Sequence, residues 1–89
     1  MLKLDEVSLR QSLADIFPEI ESVHNTKVDE LHLSQNLKDV LPEEYHGQLW
    51  GAKIFITNDN DSKITIINKE QNISKSFVLS EFGNITKIK

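Results

Sequence analysis

The chain contains no cysteine. Disulfides and thiolate metal sites are therefore excluded, and the redox compartment is left open. It has two prolines and three glycines, too few for a Gly-rich phosphate loop or a collagen-like or linker segment. No apolar run approaches the ~18 residues of a membrane span. The opening "MLKLDEVSLR" is charged and has no apolar core segment, so a signal peptide is not expected and the cytoplasm is the expected location. What is present is ordinary for a folded protein: 38% hydrophobic and 27% charged residues over 89 positions. That length predicts one domain, residues 1–89, with a thin core that hides roughly 60–65% of the unfolded surface.

Charge is unevenly placed. Residues 1–45 hold ten acids and four bases, whereas residues 46–89 hold four acids and six bases. An acidic half argues against direct binding of nucleic-acid phosphates, which need a basic footprint. It suits a basic partner, which it would attract over about 8–10 Å. The bland alternative is that these acids only solvate helix surfaces.

Leu9, Leu13, Ile16 and Phe17 recur at helical spacing, so a helix is expected from Asp5 to Phe17, capped by Asp5 or Ser8 and stopped by Pro18. The alternation from Lys27 to Leu33 predicts a short strand. Ser34 can cap a second helix to Leu41, with Leu37, Val40 and Leu41 as its apolar stripe. Gly47 and Gly51 bracket Trp50 and mark a turn. "AKIFIT", "KITIIN", "SKSFVLS" and "NITKIK" are then four short strands rich in Ile, Phe, Val and Thr, separated by polar turns. Their spacing predicts an antiparallel meander joined by hairpins. The expected fold is α+β: two helices packed on an antiparallel sheet of about five strands, in α-β-α-β-β-β-β order.

Catalytic signals are weak. His24, His32 and His46 show no metal-ligand spacing, so no metal and no cofactor is expected. Glu43 and Glu44 are adjacent and would point ~100° apart on a helix, a poor catalytic pair. No nucleophile elbow occurs. A non-enzyme is expected, with no small-molecule substrate and no membrane or nucleic-acid partner.

The stretch "DVLPEEYHGQLWGAKIFIT", Asp39 to Thr57, sets carboxylates directly beside apolar residues. Asp29, Glu30, Asp39, Glu43 and Glu44 could form a row spaced like the phosphates of a DNA strand. If the second helix tilts off the sheet, its stripe becomes a groove; if it does not, the stripe is ordinary helix-on-sheet packing.

The order of elements, together with "DVLPEEY", "LWGAKI" and "FGNITKIK", resembles the small acidic inhibitors of uracil-DNA glycosylase from phages and staphylococci. The resemblance covers most of residues 8–89. It implies a DNA mimic that forms a 1:1 complex with the glycosylase. Glu30 would be the strand-end carboxylate, with Glu21 of "ESV" as a second register, and Asp39 would match a helix acid. Leu37, Val40, Leu41, Ile54, Ile56 and Ile66 would line a groove that takes up the enzyme's DNA-intercalating leucine. The alternatives are an immunity protein, an antitoxin or another anti-defence protein that blocks a basic nuclease, none of which needs such a groove, and a module whose acids are merely solvated.

Overall fold

A computed structural model describes residues 4–45 and 47–88. Helix α1 spans Glu6–Ile16. Asp5 caps it, its Oδ1 accepting the Ser8 N–H at 2.7 Å. That bond favours the ionised carboxyl and holds Asp5 below the usual carboxylate range. Leu9, Leu13 and Ile16 face inward and are fully buried. α1 stops before Pro18 as expected, with Phe17 as its C-cap, but the chain does not leave helical structure there. Pro18 occupies the first turn of a second helix, α2, Pro18–Glu21, where its missing N–H has no intrahelical partner to lose.

Strand β1 spans Glu30–Ser34, α3 is the single turn Gln35–Lys38, and a 3-10 turn covers Glu43–Tyr45. Then come β2 (Gln48–Leu49), β3 (Ala52–Thr57), β4 (Lys63–Asn68), β5 (Ile73–Leu79) and β6 (Ile85–Ile88). The expected strand at "NITKIK" runs to Lys89, which lies outside the described residues. The class is α+β, as expected, but among the described residues the sheet has six strands in the order β2-β3-β1-β4-β5-β6. It is mixed rather than antiparallel, because β1 runs parallel to β3 and antiparallel to β4. Only β4, β5 and β6 form the expected meander.

The reason β3 and β4 do not form a hairpin lies in their connection. The 58–62 loop passes over the end of β1 and is fastened there. Ser34 Oγ donates to Asp59 Oδ1 and accepts the Lys63 N–H at 2.8 Å. Thr57 Oγ1 donates to Asp59 Oδ2 at 2.6 Å, and Gln35 N–H donates to the Asp59 carbonyl at 3.0 Å. At the opposite end of β1, the fully buried Asn68 donates to the Lys27 carbonyl at 2.8 Å and accepts the Gln71 N–H at 2.8 Å. Both ends of the central strand are thus held by side-chain bonds from β4 or its flanking loops.

One face of the sheet carries the core. Leu31 and Leu33 of β1, Ala52 and Ile54 of β3, Ile64 and Ile66 of β4 and Phe77 of β5 meet Leu9, Leu13, Ile16 and Ile20. The last loop closes on α1 at Gly83. Its φ is +89°, and a Cβ there would lie 2.9 Å from Leu4 Cδ1, so glycine answers both the backbone and the space. Ser12 Oγ donates to the Gly83 carbonyl at 2.9 Å and completes the join.

Candidate interaction surface

The expected groove is closed. Leu37, Leu41, Ile54 and Ile66 are buried and belong to the same core as Leu9 and Leu31, and Val40 packs against them half-buried. Only Ile56 is exposed, at 39%. The physical reason is the length of α3. A single turn cannot lean away from the sheet, and its stripe is drawn down as part of the crossover from β1 to β3.

Nor do the five carboxylates form one row. Asp29 fastens the start of β1, its Oδ2 accepting the Lys69 N–H at 2.8 Å, with Lys27 Nζ 3.7 Å from Oδ1. Glu30 lies on the sheet face away from the core, since its neighbour Leu31 points inward. There it meets Lys69 Nζ at 2.5 Å and His32 Nε2 at 3.0 Å. The bond from Lys69, and after it that from His32, holds the Glu30 carboxyl below its usual range. Glu30 is therefore already neutralised by its own chain. Asp39, Glu43 and Glu44 sit instead on the crossover connection, on the helical side, all exposed. Among the described residues these three have no ion-pair partner. Glu21, the second register, is exposed at the end of α2.

The uncovered sheet face has the opposite sign. Lys53, Lys63 and Lys69 project there, Lys53 Nζ lying 5.5 Å from the Phe55 ring centre. The His32 and Phe55 rings lie 5.0 Å apart across β1 and β3. The molecule therefore has a lysine-bearing sheet face with aromatic rings and, behind it, an acidic helical side.

His24 is exposed, and His46 lies outside the described residues. Among the described residues no group of three His, Asp or Glu side chains could hold a metal ion, and no helix is long and apolar enough to cross a membrane.

An open cleft does exist, at a place where the sequence shows only a turn. Val7, Arg10, Gln11 and Ala14 of α1 and Trp50 line a space of about 220 Å³. Trp50 and Gly51 join β2 to β3 as a two-residue hairpin turn with φ of 50° and 85°. Positive φ at both positions is the geometry of a type I′ turn, which favours Asn-Gly and not Trp-Gly. Trp50 packs edge-on against Phe17, ring centres 5.3 Å apart, yet remains 50% exposed. Arg10 lies 5.9 Å from the Tyr45 ring centre and 3.4 Å from Glu6 Oε1. The Arg10–Tyr45 contact sets the 3-10 turn, with Glu43 and Glu44, beside the cleft. The signal for this site was a dipeptide, Trp-Gly, between two apolar residues; a two-residue strand is too short to show periodicity.

Compared with protein-family models, curated proteins and solved structures, the chain matches none.

Proposed function

We propose that this chain is a non-catalytic protein inhibitor that blocks a nucleic-acid enzyme through its acidic helical side, in a 1:1 complex in the cytoplasm. The observation that carries this reading is the separation of charge. Asp39, Glu43 and Glu44 are exposed and unpaired among the described residues, while Lys53, Lys63 and Lys69 project from the opposite sheet face and Lys87, on the helical side, is paired with Glu19. Unpaired carboxylates on a fixed scaffold attract a cationic active-site cleft and exclude its substrate by occupying it.

Two targets fit this class. The family resemblance names uracil-DNA glycosylase. The burial of Leu37, Leu41, Ile54 and Ile66 removes the groove that the resemblance assigns to the glycosylase's leucine, which supports the immunity- or antitoxin-like form against a basic nuclease, because such a blocker does not depend on that groove. The test is to titrate the purified protein into uracil-DNA glycosylase and into a basic DNase, each at low salt and at about 0.5 M salt. Near-equimolar loss of one activity, relieved by salt, is the expected result. Full activity of both enzymes at large excess of the protein would overturn the reading.

A further inference from the structure

We infer that the Trp50 cleft is the point at which this protein grips its partner, taking up one aliphatic or aromatic side chain carried between lysine or arginine residues. This rests on the inhibitor reading above and names the contact it leaves open.

Three observations converge there. The first is exposure: Trp50, the chain's only tryptophan, is 50% exposed and Val7 beside it is 70% exposed. A partly exposed tryptophan on an apolar rim is the residue type most often found at the energetic centre of an interface. The second is backbone geometry. Trp50 has a φ of 50°, a left-handed conformation that is unfavourable for a bulky side chain. Asn or Gly would hold the same turn without that strain, so the turn alone does not account for the indole. The third is size. At about 220 Å³ the cleft is smaller than the roughly 300–1,000 Å³ of small-molecule sites, and it suits a single side chain.

Charge decides the rest of the occupant. Glu6 pairs with Arg10 of the lining, and Glu43 and Glu44 immediately precede Tyr45, whose ring Arg10 also meets, so these three carboxylates lie near the cleft; among the described residues Arg10 is the one cation in its lining. Arg10 is itself engaged by Glu6 and the Tyr45 ring. An apolar side chain next to lysine or arginine would fill the cleft and meet these carboxylates together. An acidic or uncharged segment would leave them desolvated without compensation.

The probe is a synthetic Lys-Lys-Leu-Leu-Lys-Lys peptide, with a control in which serine replaces both leucines. Binding is followed by the emission of Trp50 and by its indole N–H resonance. The expected result is a saturable blue shift with the leucine peptide and none with the serine peptide. Val7→Asp, at an exposed helix position, should weaken peptide binding by about tenfold or more, and Glu43→Lys with Glu44→Lys should remove its salt dependence. Equal binding of both peptides, or unchanged binding to Val7→Asp, would overturn the inference. The same variant separates the two claims in the enzyme assays. If Val7→Asp inhibits as well as the parent protein, the cleft assignment fails and the inhibitor reading stands. If no enzyme is inhibited while the peptide binds as described, the reverse holds.

Discussion

Ser34 and Asp59 are hydrogen-bonded across a sequence separation of 25 residues, and this contact joins the end of the central strand to the loop that crosses it. Ser34 is fully buried, and its hydroxyl also accepts the Lys63 N–H. Replacing it with alanine leaves that backbone N–H without its acceptor. Ser34→Ala should therefore cost about 1–3 kcal/mol in urea unfolding, a large effect for one oxygen atom. A cost under about 0.5 kcal/mol would mean that the loop is held by other contacts.

The same contact has a pH signature. Hydrogen bonds from Ser34 and then Thr57 hold the Asp59 carboxyl below its ordinary value of 3.8, and Lys69 and His32 do so for Glu30 below 4.5. A depressed carboxylate contributes stability above its unfolded pKa and loses it as pH falls through the folded value. Melting temperature should accordingly be level near neutrality and fall on acidification from about pH 4.5 downward. Lys69 is shifted the other way, raised above 10.5 by Glu30, so its contribution is full below that value and is lost at higher pH. Asp59→Asn should flatten the acid limb, and an unaltered limb would assign acid sensitivity to other carboxylates.

The elements with a clear period were legible in the sequence. The "AKIFIT" and "KITIIN" strands match β3 and β4, and Leu9, Leu13, Ile16 and Phe17 all enter the core. Pairing was not legible. Periodicity says which face a strand buries and says nothing about its neighbour, so the insertion of β1 between β3 and β4 stayed hidden. The cause, Asp59 bridging Ser34 and Thr57, reads locally as one more polar loop residue. The pairing of Glu30 is hidden for a similar reason: its partner Lys69 lies far away in the chain and reaches it only because β1 pairs with β4. Trp50 was in plain view, but its exposure depends on the hairpin turn and on how α1 lies beside it.

Leu37 separates a structural from a surface role. It was expected to line an open groove, where a polar substitution would affect binding alone. Its side chain is fully buried in the core. Leu37→Ala should therefore cost about 2–5 kcal/mol of folding stability, the range for deleting a buried leucine. Any residual folded fraction should inhibit as well as the parent protein. Loss of inhibition at unchanged stability would place Leu37 at the interface after all.

The exposed acids should behave in the opposite way. Glu43 and Glu44 are exposed and, among the described residues, unpaired, so reversing both to lysine should change stability by no more than about 0.5 kcal/mol each. Association with a cationic enzyme should slow by about tenfold or more at low salt, with little change at high salt, because steering acts before contact. Stopped-flow association rates at several ionic strengths measure this directly. An unchanged rate would move the steering charge to α1.

Trp50 offers a test in which two substitutions at one position give different results. Asparagine there would complete the Asn-Gly pair that a type I′ turn favours, while alanine keeps the left-handed penalty. Both lose the edge contact with Phe17, worth about 0.5–1.5 kcal/mol beyond buried area. Trp50→Asn should stay within about 1 kcal/mol of the parent protein, with relief in the turn offsetting the lost contact. Trp50→Ala should fall below it by roughly a further 1 kcal/mol. Both should inhibit equally poorly, since each empties the cleft of its anchor. If alanine were as stable as asparagine, the turn would not be strained, and the exposed indole would need no function to explain it.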